Sequence, residues 1–80
     1  MNIKVYSTSV CPACDAAKTY LKGKGVVYEE YDVETDEVKA MEMINMTGQS
    51  GVPVIDINGN ILVGFSKQRI DGLIECSNLV

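Results

Sequence analysis

The sequence predicts an α/β fold, a four-stranded mixed sheet with three helices in the order strand, helix, strand, helix, strand, strand, helix. Three observations predict it. Short runs rich in β-branched residues alternate with stretches of helical spacing. An Asn58-Gly59 pair between two apolar runs marks a hairpin near the end. Helix start and stop residues bracket the helical stretches. With 80 residues, a single domain over residues 1–80 is expected.

The elements follow in order. Ile3-Lys4-Val5-Tyr6 alternates apolar and polar residues and reads as the first strand. Residues 7–10 form a loop. Pro12 suits the first position of a helix, where its missing N–H costs nothing. Ala13, Ala16, Ala17, Tyr20 and Leu21 then recur at helical spacing, and Gly23 and Gly25 stop the helix. Residues 26–33 are rich in Val and Tyr and read as the second strand. Residues 36–46 return to helical spacing, with Val38, Met41 and Ile44 on one face and Gly48 as the stop. On that spacing Met41 is a core residue, and only Met43 or Met46 is left for the surface.

Val54-Ile55-Asp56-Ile57 is the third strand. Asn58-Gly59 turns it back into Ile61-Leu62-Val63, the fourth, because both turn positions favour positive φ. Ser66 is placed to cap the last helix, whose apolar face is Ile70, Leu73 and Ile74. A helical crossover joins the first two strands, which makes them parallel, whereas the hairpin is antiparallel. The sheet is therefore mixed.

Composition narrows the function classes. Apolar residues make up 46% of the chain, enough for a folded globule rather than a disordered tail. The net charge of −4 argues against a nucleic-acid partner, since phosphate binding needs clustered Lys and Arg. No basic amphipathic run suggests a membrane surface, and no apolar run is long enough to span a bilayer. The opening Met1-Asn2-Ile3-Lys4-Val5-Tyr6 carries no secretion signal. A cytoplasmic monomer is expected. Three cysteines is an odd number, whereas disulfide-stapled secreted domains usually have an even one. In a reducing compartment, a close pair reads as redox-active or metal-binding.

That pair is Cys11-Pro12-Ala13-Cys14, at the join of the first loop and the first helix. As N-cap, Cys11 turns its sulfur towards the unpaired N–H groups of the first turn. Those groups and the helix dipole favour the thiolate, the reactive form. A fall in pKa from about 8.5 to about 7 needs about 2 kcal/mol, within what a helix end supplies. Cys14, one turn on, is positioned to resolve a mixed disulfide formed at Cys11. Asp15 opposes the shift, and residues 7–13 hold no compensating cation, so a moderate depression is expected. The alternative is a metal or iron–sulfur carrier using the same cysteines. A zinc site needs about four ligands, and the chain offers no His and one further Cys. A cluster would need ligands from a second chain. Two inert core cysteines are the remaining reading.

Over nearly its whole length the chain resembles the glutaredoxin-like branch of the thioredoxin superfamily. The residues that carry the resemblance are Tyr6-Ser7-Thr8-Ser9-Val10-Cys11-Pro12-Ala13-Cys14, Gly51-Val52-Pro53-Val54-Ile55, Ile57-Asn58-Gly59 and Gly64-Phe65. The resemblance implies a thioredoxin-like fold and a disulfide oxidoreductase with Cys11 and Cys14 as its catalytic pair. It implies a cis peptide at Pro53, lying across from Cys11, beside a Val52 backbone free to pair with an extended substrate. The plainer reading of Pro53 is the start of an edge strand. Thr8, Pro12, Val52, Pro53, Gly64, Phe65 and Ser66 are the candidate substrate-binding residues. No bound cofactor or metal is expected. Electrons would come from a flavoenzyme reductase or glutathione, and go to protein disulfides.

Departures from the pattern bear on the reductant. Glutathione-using members usually carry Lys or Arg where this chain has Thr8, and Thr where it has Gly51. They usually have Gly-Gly and then Asp where it has Gly64-Phe65-Ser66-Lys67. The Gly-Phe turn is similar to ribonucleotide-reductase-associated redoxins, which are reduced by a thioredoxin-reductase-type flavoenzyme. Their residues between the cysteines usually differ from Pro-Ala.

Four further features have a plain and a sharp reading. Cys76 is an incidental thiol or a third redox group. The acidic residues Glu29, Glu30, Asp32, Glu34, Asp36 and Glu37 form a solvated rim that guards an edge strand, or repel anionic partners. Lys67 and Arg69, in the first turn of the last helix, oppose the dipole preference and hint at an anionic partner. Phe65 lines the substrate groove or covers the end of the sheet.

Overall fold

A computed structural model describes the backbone of residues 2–78 and the side chains of residues 2–75. Its elements are β1 (Ile3–Ser7), α1 (Pro12–Gly23), β2 (Glu29–Asp32), α2 (Glu37–Thr47), β3 (Val54–Ile57), β4 (Asn60–Val63) and α3 (Lys67–Asn78). The sheet order is β2-β1-β3-β4. Strand β1 runs parallel to β2, with Tyr6 opposite Tyr31, and antiparallel to β3, with Val5 opposite Ile55. The β3–β4 hairpin is antiparallel, with Ile55 opposite Leu62. This is the mixed sheet the crossover and the hairpin predict, and the architecture is thioredoxin-like.

Side-chain alternation along the strands splits the core in two. Ile3 and Val5 of β1, Ile55 and Ile57 of β3 and Leu62 of β4 face α1 and α3, where they meet Ala17, Leu21, Ile70 and Ile74. On the opposite face Tyr6 and Val54 pack against Met43 of α2, with Tyr31, Val33, Val52 and Ile61 around them. Central strand β1 is thus covered on both sides, which fixes the end of β1 that leads into Cys11.

Helix ends follow local chemistry. Asp36 caps α2, its carboxylate accepting the Lys39 N–H at 3.1 Å. Gly48 closes α2 in the left-handed region. At α3 the Ser66 hydroxyl accepts the Arg69 N–H at 3.4 Å. The hairpin turn places Asn58 at φ 52 and Gly59 at φ 90, the positive pair that the dipeptide predicts.

Three expectations fail. Residues 26–28 lie outside β2, and Val27 is 87% exposed; β-propensity alone does not pair a segment that has no ladder partner. On α2 the buried residue is Met43, whereas Met41 is 56% and Val38 73% exposed. The helix turns its Ala40, Met43, Ile44 and Thr47 side inward, a stripe that also obeys the 3–4 spacing. Three methionines and two competing stripes left the phase undetermined by pattern. Ala13 and Ala16 of α1 are likewise exposed, and Cys14 takes the buried position beside Ala17 and Leu21.

Candidate active site

The loop after β1 delivers Cys11 to the start of α1. Cys11 adopts an extended conformation, φ −155 and ψ 98, and is the N-cap. Its carbonyl accepts the Asp15 N–H at 3.1 Å, which starts the helix. Its sulfur accepts the Cys14 N–H at 3.1 Å, so a helix-end donor that no backbone group can satisfy is met by sulfur. The two cysteine Cα atoms are 5.2 Å apart and the sulfurs form a disulfide. Cys11 is half-exposed and Cys14 fully buried. One sulfur is therefore open to an incoming molecule while the other waits beneath it.

The surroundings of the pair combine apolar surface with carboxylates. Val10, next to Cys11, is 86% exposed. Pro12 and Ala13 are exposed, and Thr8 is half-buried. Asp15 lies 3.6 Å from Lys18, which also pairs with Glu30 at 3.1 Å. Partial burial works to lower the Lys18 pKa, but the hydrogen bond and charge of Glu30 outweigh it and the net shift is upward. Lys18 is thus committed to carboxylates on both sides. On the β2 side, the Val33 N–H donates to the Ser7 carbonyl at 2.9 Å, and the Ser9 hydroxyl donates to the Glu34 carboxylate at 2.8 Å. The β2–α2 turn is thereby laced to the loop that carries Cys11.

The peptide between Val52 and Pro53 is cis, as the resemblance implies. Pro53 is buried, and its carbonyl accepts the Gly64 N–H at 2.8 Å. Among the described residues none hydrogen-bonds the Val52 backbone. Gly64, at φ 87, turns the chain into Phe65 and Ser66. Phe65 is half-buried. It packs against the main core and meets Tyr20 edge-on at 5.9 Å, and it lines a shallow cleft with Asp15, Ala16, Tyr20 and Lys67.

Two networks that pattern reading missed hold this frame. The Tyr20 hydroxyl donates to Asp71 at 2.6 Å, and Lys24 pairs with the same carboxylate at 2.9 Å, clamping α1 to α3. Tyr6, deep in the sheet, donates to Glu42 at 3.0 Å, and Lys39 donates to Glu42 at 3.2 Å while lying over the Tyr31 ring. Burial, then the Glu42 hydrogen bond, pushes the Tyr6 hydroxyl far above its ordinary value. Both networks join residues more than 30 positions apart, so no local signal marks them. Cys76 lies outside the described side chains.

Comparison with known proteins identifies the lineage. Residues 3–62 match the family model for glutaredoxin. The chain belongs to the glutaredoxin family. It is 51% identical over 73 residues to a glutaredoxin-like 8.6 kDa protein in the rubredoxin operon of Clostridium pasteurianum, covering 91% of this chain and 97% of that one. It is 35% identical over 63 residues to glutaredoxin 3 of Escherichia coli, covering 79% and 76%. Among solved structures it is similar to NrdH-redoxin from Escherichia coli, at a TM-score of 0.79 and 26% identity over 91% of this chain and 95% of that one. That structure is described as a glutaredoxin-like protein with a thioredoxin-like activity profile. A glutaredoxin-family chain with a disulfide between Cys11 and Cys14 is a thiol–disulfide redox protein. The family works with glutathione or reductase partners on disulfide substrates. Among the described residues no helix is long and apolar enough to cross a membrane.

Proposed function

We propose that this chain is a dithiol electron carrier that reduces disulfides of client proteins through Cys11 and Cys14, in a reducing cytoplasm. The observation that carries the proposal is the Cys14 N–H donated to the half-exposed Cys11 sulfur at 3.1 Å. A donor aimed at sulfur stabilises the thiolate more than the thiol.

In the reduced chain, the Cys11 thiolate attacks a client disulfide. A Cys11–client disulfide forms, the client S–S bond breaks, and one client sulfur leaves as thiolate and takes a proton. Cys14 then loses its proton and attacks the Cys11 sulfur. The Cys11–Cys14 bond forms, and the second client sulfur leaves. Two electrons have passed to the client, and the chain is left with the disulfide of the present structure. A reductase or a thiol must supply two electrons to reset it.

The Val52 backbone, which none of the described residues hydrogen-bonds, lies beside buried Pro53 and suits an extended client segment, which gains main-chain hydrogen bonds there. Thr8, Pro12, Gly64, Phe65 and Ser66 form the rest of the proposed contact rim. A flavoenzyme of the thioredoxin-reductase type is the favoured electron source. Thr8 stands where glutathione-using members usually place a cation, a carboxylate is tied to Ser9, and NrdH-redoxin, with its thioredoxin-like activity profile, shares the fold at 26% identity.

The test is reduction of the oxidised chain by glutathione, and separately by NADPH with a thioredoxin-reductase-type flavoenzyme. Rapid reduction by the flavoenzyme and slow reduction by glutathione are expected. Fast reduction by glutathione alone overturns the choice of electron source. Inability of the reduced chain to open any model disulfide overturns the oxidoreductase reading.

A further inference from the structure

The geometry points to Glu34 as a residue that selects clients by charge, favouring disulfides flanked by a cationic group over anionic ones. The inference rests on the disulfide-exchange reading above and names the substrate class of that same site.

Glu34 is not a freely moving surface carboxylate. Its own N–H donates to the Asp32 side chain at 2.9 Å, and its carboxylate accepts the Ser9 hydroxyl at 2.8 Å. Ser9 precedes Cys11 by two residues. Two extended residues span roughly 7 Å, so the carboxylate lies within roughly 12 Å of the Cys11 Cα. That is close to the screening length of about 8–10 Å at physiological ionic strength. The carboxylate is thus held on the rim that an incoming disulfide must approach, beside exposed Val10.

Nearby cations do not cancel it. Lys18 is shared between Asp15 and Glu30, and Lys39 pairs with Glu42. Among the described residues no cation pairs with Glu34, and the loop it touches carries none. Lys67 lies over the Tyr20 ring, 5.7 Å from its centroid, in the cleft it lines with Asp15 and Phe65. In the first step of the exchange the Cys11 thiolate closes on one client sulfur while the other leaves as thiolate, and a cationic neighbour on the client is drawn to Glu34 as the two sulfurs approach. An anionic neighbour is repelled at the same step.

The experiment uses the full chain, pre-reduced and free of other thiols, in single-turnover oxidation by three small disulfides. These are cystamine, a dication; 3,3′-dithiodipropionate, a dianion; and bis(2-hydroxyethyl) disulfide, which is neutral. Oxidation is followed by alkylation and mass measurement. At low salt the unmodified chain is expected to favour cystamine over the dianion. E34K should move that rate ratio at least about fivefold towards the dianion, and E34Q about half as far on a logarithmic scale, in keeping with a charge near one screening length. At 1 M salt the ratio of the unmodified chain should collapse towards the neutral value.

A ratio that stays within twofold in both E34K and E34Q at low salt, in variants that keep the circular dichroism of the parent, overturns the role of Glu34. So does a ratio indifferent to salt. An unmodified chain that cannot reduce even the neutral disulfide refutes the exchange chemistry itself, which is a separate outcome.

Discussion

Cys14 donates its main-chain N–H to the sulfur of Cys11, three residues earlier, over 3.1 Å. The contact makes sulfur the N-cap of α1, a position usually filled by a Ser, Thr, Asp or Asn oxygen. It also gives the two cysteines unequal surroundings, since Cys14 is fully buried and Cys11 half-exposed. Unequal exposure assigns unequal roles.

Those roles separate under substitution. Cys11→Ser should abolish exchange with a model disulfide, because buried Cys14 cannot meet the substrate. Cys14→Ser should still attack once and then accumulate a mixed disulfide, since nothing resolves it. Intact-mass analysis after incubation with a model disulfide checks both. Equal behaviour of the two variants contradicts the assignment.

The face of α2 can be tested by truncation. Met43 is buried between Tyr6 and Val54, so Met43→Ala should cost about 2–5 kcal/mol. Met41 is 56% exposed, so Met41→Ala should stay within about 0.5 kcal/mol of the parent. Urea unfolding of both variants gives the comparison, and the reverse order would restore the face predicted from spacing.

That reversal shows where the sequence was legible. Element order, the parallel crossover and the hairpin were readable because Pro12, Gly48 and Asn58-Gly59 act through backbone conformation, which is local. The position of the cysteine pair was readable for the same reason, since its placement at a helix start is a matter of a few neighbouring residues. The phase of α2 was not, because Val38–Met41 and Met43–Thr47 both satisfy helical spacing and only the sheet chooses between them. The Ser9–Glu34, Tyr20–Asp71 and Tyr6–Glu42 hydrogen bonds were invisible because each depends on elements far apart in the chain meeting after folding.

Stability should fall in acid. Hydrogen bonds from Lys39 and then Tyr6 hold Glu42 below its ordinary value of 4.5, and those from Lys24 and then Tyr20 hold Asp71 below 3.8. A lowered folded-state pKa means the unfolded chain binds protons more readily. The stabilisation is therefore complete above the ordinary values, and is lost as pH falls from there through the lowered ones. Both carboxylates are at the surface, so the loss is modest. Urea midpoints at about pH 5 and pH 3 should draw together in a variant carrying E42Q and D71N, relative to the parent. An unchanged gap would show that these pairs contribute nothing to acid sensitivity.

Gly64 occupies φ 87 in the turn whose N–H reaches Pro53, and a Cβ there would meet no other atom. Gly64→Ala should therefore destabilise through backbone conformation alone, by roughly 1–2 kcal/mol. Thermal unfolding measures it. A neutral result would mean that the turn relaxes into another conformation at no cost.

The most direct test of the account is the ionisation of Cys11 in the reduced chain, read from its alkylation rate by iodoacetamide against pH, with peptide mapping to separate it from Cys14 and Cys76. A midpoint below the free-cysteine value is predicted, set by the Cys14 N–H and the start of α1. A midpoint at or above the free-cysteine value of about 8.5 would contradict it.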